Sequence, residues 1–363
     1  PIEPNLMFLG TESGLYVSMD GAESWAKWTH GFPTVPTSDL QIHPREHDLI
    51  IGTFGRAIWI LDDIRPLREA TSLGMKALKE KTIHTFSIPD ATNAIIGPYW
   101  GYRSTGNGLF MAENKPFSAA ISFYSDRAGR VKMEVANANG EIVRTRTYNA
   151  EQGVNRVYWG FEADGVRQPG SRQSSNGQKP GGYDVLPGTY EITLSVNDES
   201  SSQSINVLRD MRVEWDQAKV DEKQEFIAKY YDLVSSMTDA MDRINEANQI
   251  ADRVLAIDSD NADLKEKVSE VKKALKAMTE KVSAPRIQGL SRNLNLLSSQ
   301  LGNVRSKMQS SYKPVTQPQR LAFQNAKRNV DPFLSEVNVF FDNDWAAFKA
   351  FVEGLNLELV KGF

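Results

Sequence analysis

The sequence predicts a multidomain chain that is all-β at first, as terminal β-propeller blades followed by an immunoglobulin-like β-sandwich. An all-α antiparallel helical bundle completes it. Three observations carry this expectation. A hairpin pattern recurs within residues 1–65, period-two alternation between tight turns fills residues 86–213, and apolar residues step by three or four through residues 217–363. The blades are assigned residues 1–70, the sandwich 86–213 and the bundle 217–363.

Shifting the sequence by 42 places Leu9 on Ile51, Gly10 on Gly52, Thr11 on Thr53 and Asp20 on Asp62. Each unit reads as an apolar strand, a Gly-Thr turn, a second apolar strand and an Asp. A period of roughly 40–45 residues built from short strands is the length of one propeller blade. A ring needs about 4–8 blades, so at least roughly 80 further residues are expected upstream. Pro1, with no initiator Met and no signal peptide before it, is read the same way.

In the second region, "SAAISFYSD" (118–126), "RVKMEVANANGEIVRTRTYN" (130–149), "NRVYWGFEADG" (155–165) and "PGTYEITLSVND" (187–198) alternate apolar and polar residues. Asn-Gly, Asp-Gly and Pro-Gly pairs separate them, as hairpins require. Several strands at this spacing suggest a sandwich. The stretch 167–182, "RQPGSRQSSNGQKPGG", has no periodicity and is expected as a mobile surface loop.

The third region switches to helical spacing. Ile227, Tyr230, Val234, Met237, Met241 and Ile244 form one stripe, and Leu264, Val268, Val271, Leu275, Met278 and Val282 a second. Leu294, Leu297, Leu301, Val304 and Met308 follow, then Val330, Phe333, Val337, Phe340, Trp345, Phe348 and Phe351. Breaks fall at 258–261, 283–286 and 312–319, where Thr316 and Gln319 have capping-box spacing. About four helices with short connections imply an antiparallel bundle.

Composition narrows the function. Lys+Arg 42 against Asp+Glu 46 leaves a net charge of -4, with no basic cluster, which argues against nucleic acid. No apolar run reaches the roughly 18 residues of a membrane helix. Cysteine is absent, which removes disulfides, thiolate metal sites and a cysteine nucleophile.

The stretch "SMDGAESW" (18–25) contains parts that each serve a hairpin. The Asp20 carboxylate can accept backbone N–H groups within its own turn. Gly21 supplies backbone freedom, and Trp25 can lay its indole across the hairpin. Ser18, Asp20, Gly21, Ser24 and Trp25 are therefore read as structural. This stretch resembles the Asp-box, or bacterial-neuraminidase repeat, with Ser24 in place of Thr and Ala22 where a Gly is usual. "DLIIGTFGRAIWILDDIRPLRE" (48–69) resembles the closing propeller segment of bacterial sortilin-like proteins, many labelled glycosyl hydrolases. Gly52, Thr53, Gly55, Arg56, Trp59, Ile60, Leu61, Asp62 and Asp63 carry that match, whereas Phe54 and Ala57 stand for His and Gly. Gly153, Asn155, Trp159, Pro187, Gly188 and Tyr190 resemble the immunoglobulin-like domain of the flagellar hook-capping type. The resemblance covers roughly residues 1–212 and implies a secreted or cell-envelope propeller protein. The function expected of the chain is binding or assembly with protein partners. The alternatives it leaves are the non-catalytic tail of a glycosyl hydrolase whose active site lies upstream, with a glycan as ligand, and a soluble ligand receptor with its site in the propeller tunnel.

No catalytic set is expected within the chain. Asp62 and Asp63 are adjacent, and strand neighbours point to opposite faces, so they make a poor acid–base pair. Arg45, Arg56 and Arg65 do not sit together on strands. His43 and His47 bracket Pro44, which breaks the helix an i, i+4 metal pair would need, and His30 and His84 stand apart. No metal and no cofactor are expected. "GPYWGYRSTGNG" (97–108) gathers Tyr99, Trp100, Tyr102 and Arg103, which with Arg56 are the candidate binding residues. Packing explains that cluster equally well.

Overall fold

The computed structural model describes residues 2–95, 115–175, 177–284, 293, 295–308 and 310–355. Tyr99, Trp100, Tyr102, Arg103 and Leu294 lie outside the described residues. The chain divides into two compact units, Pro1–Glu162 with Pro187–Asp210, and Ala163–Leu186 with Met211–Phe363. It is a multidomain protein of several β-sheets and a helical region.

The first unit opens with two three-stranded antiparallel sheets. Strands β1 (Met7–Thr11), β2 (Gly14–Ser18) and β3 (Ala26–Lys27) form one, and β4 (Thr37–Ile42), β5 (Leu49–Thr53) and β6 (Ile58–Leu61) the other. Leu15, Phe32, Val35, Leu49, Ile51 and Ile64 are buried between them, with Phe8, Trp28 and Trp59 packed alongside. Gly10 lets β1 approach β4 closely: a Cβ there would lie 2.8 Å from the Thr37 carbonyl oxygen.

The hairpin repeat extends to individual hydrogen bonds. Thr11 Oγ1 donates to the Gly14 carbonyl at 2.9 Å, and Thr53 Oγ1 to the Ala57 carbonyl at 2.6 Å. At the base, Gly21 N donates to Asn5 O at 3.0 Å and Ile64 N to His47 O at 2.9 Å. First strands match at an offset of 42 and second strands at 43, because the second turn is one residue longer. The counterpart of Asp20 is therefore Asp63, not Asp62. Ala57, equivalent to Gly14, holds φ 58, the left-handed region where glycine is ordinarily found.

Helices α1 (Arg65–Leu73) and α2 (Met75–Lys79) follow, with Pro66 in the first turn of α1, where its missing N–H costs nothing. They lead into strands β7 (Ile83–Thr85) and β8 (Ala91–Asn93), then β9 (Ala119–Ser125), β10 (Gly129–Ala136), β11 (Ile142–Ala150) and β12 (Gly153–Trp159). Strands β13 (Glu162–Asp164), β14 (Gly181–Asp184), β15 (Gly188–Val196) and β16 (Glu199–Arg209) complete the β part. One sheet has the order β11-β10-β15-β16-β8 and another β12-β9-β7. Their buried residues meet at Trp159 of β12, whose ring lies edge-on to Tyr190 of β15 at 5.5 Å. Thr85 of β7 also exchanges hydrogen bonds with Ser201 of β16.

The second unit carries the helices α3 (Gln217–Ile257), α4 (Ala262–Val282), α5 (Leu297–Lys307), α6 (Gln317–Phe340) and α7 (Ala346–Gly354). A π-helical turn, Phe341–Trp345, joins α6 to α7. Apart from Ile227, which is buried outside it, the described stripe residues form one core, fully buried along α3 and α4, with Met308, Trp345 and Phe351 partly buried at its edge. Asp216 and Asn261 cap α3 and α4, and Thr316 with Gln319 forms the capping box of α6.

The described residues of 167–180 are irregular and mostly exposed, the surface loop expected, but the stretch is anchored at both ends. Thr238 Oγ1 donates to the Arg167 carbonyl at 2.7 Å, and the Arg167 guanidinium pairs with Asp242. Its far end is strand β14, paired with β13. Glycines allow that pairing, since a Cβ on Gly165 would lie 2.7 Å from Gly181 O. A search for periodicity misses an anchor made by one Arg and one Thr.

Candidate functional site

The Asp20 turn follows β2 and is closed by its own side chains. Ser18 Oγ donates to Asp20 Oδ1 at 2.7 Å and accepts from Ala22 N at 2.9 Å. Ser24 N donates to Asp20 Oδ1 at 3.0 Å, and the Ser24 hydroxyl bonds Oδ2. Bonds from Ser24, then Ser18, hold the Asp20 carboxyl down to about 2. Among the described residues every hydrogen bond to the Asp20 carboxylate comes from its own turn. Trp25 is exposed and lies outside the apolar cluster. Trp28 takes the packing role, and its indole N–H donates to His30 O at 2.9 Å.

Asp20→Ala is expected to release the Ser24 amide, so its hydrogen exchange should quicken severalfold with the rest of the first unit unaffected. The acid dependence follows from the depressed carboxyl. The stabilisation is fully present above the unfolded value of about 4 and is lost as pH falls through about 2. Exchange of the Ser24 amide followed from pH 5 to 2 checks both statements.

Arg56 sits at the exposed tip between β5 and β6, its carbonyl accepting Trp59 Nε1 at 3.0 Å. Arg45 pairs with its neighbour Glu46 at 2.7 Å. Neither approaches Asp20. His43 Nδ1 accepts Glu46 N at 3.0 Å, and His47 Nδ1 lies 2.7 Å from an Arg68 nitrogen. Burial first, then Arg65 and Arg68, lowers the His47 pKa, so the ring stands neutral as an acceptor for Arg68. His84 Nε2 lies 3.1 Å from Glu69 Oε1. Among the described residues no group of three or more His, Asp or Glu could hold a metal ion.

The first unit contains a cleft of about 380 Å³ at the end of β6, lined by Asp62, Asp63, Arg65, Lys115 and Arg156 among others. Its cations are committed. Arg65 Nε meets Asp63 Oδ1 at 2.6 Å, while Lys115 Nζ meets Asp48 at 2.7 Å and Asp62 at 3.7 Å. Arg156 donates to the Asp62 carbonyl at 2.8 Å, the Asp63 carbonyl at 3.0 Å and Ser122 Oγ at 3.0 Å. Asp62 and Asp63 thus serve as anchors for a junction between β6 and strands β9 and β12. Arg156 and Lys115 carry that junction and were not singled out in the sequence, because each is an isolated cation within a strand or loop pattern.

The hairpin sheets present a different kind of surface. Strand neighbours point to opposite faces, so Met7 and Leu9 lie opposite Phe8, and Ile58 and Ile60 opposite Trp59. Ile58 is 70% exposed, Ile60 60% and Phe54 78%. Among the described residues strand β6 is also a sheet edge, hydrogen-bonded to β5 alone.

No protein-family model matches the chain, and no curated protein matches it. Among solved structures, a biofilm-associated protein BSP domain matches at 10% identity with a TM-score of 0.19. That match covers 57% of this chain and 30% of the matched chain.

Proposed function

We propose that the chain is a contact scaffold of a secreted or cell-envelope protein. In this reading the hairpin sheets are two blades of an Asp-box propeller of the sortilin-like kind, followed by an immunoglobulin-like sandwich and a helical bundle. Its work is binding or assembly with protein partners. The observation that carries the reading is the pair of exposed apolar faces on the two hairpin sheets, Met7 and Leu9 on one and Phe54, Ile58 and Ile60 on the other. Blades in a ring cover such faces with their neighbours. The repeated hairpin bonds support the same reading, since equivalent units stack in equivalent ways.

By the offset of 43, the place that β3 occupies on β2 falls on β6 at Trp59 and Ile60. A further strand or blade is therefore expected to cover that edge. The chain has no cysteine, so Ile60→Cys, Leu9→Cys and a control at the exposed turn, Asn139→Cys, each supply a single thiol. In the isolated chain all three should react alike. In the native assembly the first two should slow by at least about tenfold while the control does not. Equal rates at all three in the assembly would overturn the reading.

A further inference from the structure

The second unit contains a cavity of about 160 Å³ between strand β14 and helices α3 and α5. Its distinctive lining residues are Tyr183, Asp184, Tyr231, Arg305, Ser310 and Ser311. Tyr183 and Tyr231 stack with ring centroids 5.4 Å apart and an interplanar angle of 29°, giving the cavity a flat aromatic side. Burial raises the pKa of both, so both stand as neutral phenols at neutral pH.

Three of the polar groups beside Asp184 are donors: Ser311, Ser310 and Arg305. The Ser311 hydroxyl is buried, at 1% residue exposure, and has no hydrogen-bond partner among the described residues. A buried hydroxyl left in this state costs free energy unless something fills the bond. The Ser310 hydroxyl oxygen accepts Tyr312 N at 3.3 Å and Lys313 N at 3.4 Å, which leaves its own hydrogen to donate. Among the described residues Arg305 makes a single long bond, 3.4 Å from Nη2 to Gly181 O, so most of its five N–H donors face no acceptor there.

We propose that this cavity binds a small planar carboxylate. The oxygens meet Arg305 and Ser311, and the flat body lies against the Tyr183–Tyr231 pair. A guanidinium fork matches the two oxygens of a carboxylate, and a charge-assisted bond of this kind is roughly twice as strong as a neutral one. The volume is below the roughly 300–1,000 Å³ of drug-sized sites, which limits the ligand to about one ring. Asp184 also lines the cavity, and its like charge disfavours a second negative group. This inference does not depend on the scaffold reading.

The test is titration of the full chain with benzoate, followed by saturation-transfer NMR and tyrosine fluorescence. Benzoate should bind saturably, with Kd on the order of 1 mM. Benzamide, with the same ring and no charge, should bind at least about tenfold more weakly. Arg305→Met should abolish benzoate binding, Ser311→Ala should weaken it severalfold, and Asp184→Asn should tighten it. Absence of saturable benzoate binding, or equal binding of benzamide, would overturn the proposal. So would weaker binding by Asp184→Asn, which would make that carboxylate an acceptor for an ammonium or hydroxyl ligand. The benzoate–benzamide comparison uses the unaltered chain, so the proposal stays decidable even where a variant fails to fold.

Discussion

Replacing Trp159 with Ala is expected to cost the first unit about 3–5 kcal/mol, the usual range for deleting a buried Trp or Phe side chain. The indole is fully buried where β12 meets β15. It touches Phe161 edge-on at 5.7 Å and Tyr190 at 5.5 Å, and its Nε1 donates to the Glu162 carbonyl at 2.9 Å. Alanine removes the ring volume and also leaves that carbonyl without its donor. Tyr190 cannot swing inward far enough to refill the space, because β15 is held by ladder bonds to β10 and β16. At this size a loss near 4 kcal/mol lowers Tm by roughly 10 °C. Trp159→Phe, which keeps most of the volume, should lose less than half as much. Thermal melts of the two variants check the ordering, and equal losses would show that the hydrogen bond dominates.

Lys223→Met is expected to act in the opposite direction. Lys223 lies on α3 with 0% exposure, and its Nζ has a neutral partner, Gln319 Oε1 at 3.2 Å. That oxygen also accepts Thr316 N at 3.1 Å, and the Gln319 amide donates to Lys307 O at 2.7 Å, so the lysine is tied to the cap of α6. Burial of the ammonium pushes its pKa down from 10.5 to about 8. A drop of about 2.5 units corresponds to about 3 kcal/mol against the charged form. Subtracting about 1 kcal/mol for the lost hydrogen bond leaves a gain of about 2 kcal/mol for methionine at neutral pH. The pH dependence has a definite sign. Below about 8 both folded and unfolded lysine are charged and the full penalty applies. Between about 8 and 10.5 the unfolded chain holds the proton that the folded chain has released, so stability rises with pH. Tyr230 opposes this above pH 10, because burial pushes its phenol up to about 12 and only the unfolded chain ionises there. Stability of the helical unit should therefore climb from pH 7.5 to 9.5, and the climb should vanish in Lys223→Met. Denaturant melts across that range measure it.

The helices and most strands were legible because their signals are local. The α3 and α4 stripes became buried cores residue for residue, and the Thr316–Gln319 spacing became a capping box. The hairpin repeat was legible too, but the β5–β6 turn is longer by one residue in the fold, which moves the equivalence from Asp62 to Asp63. Strand β16 was missed because "ESSSQSINVLR" is serine-rich in its first half. It forms by pairing with β15 and by burying Ile205 and Val207. Helices α1 and α2 were missed because Pro66 and Gly74 interrupt the pattern, although Ala70 and Leu78 do pack inward. The burial of Lys223 could not be read, since a lysine within a helical stripe ordinarily snorkels to solvent. Asp20, Ser18 and Ser24 were readable as a self-contained turn because the bonds made by their side chains span four residues or fewer.

The scaffold reading rests on the exposed face of β6, and one variant tests it most directly. Ile60→Asp places a charge on a side chain that is already in solvent, so Tm of the isolated chain should move by less than about 1 °C. The same charge on a buried docking face should be prohibitive. The account predicts that this variant no longer co-sediments in the native assembly while the isolated chain stays folded. An Ile60→Asp protein that remains fully assembled would contradict it.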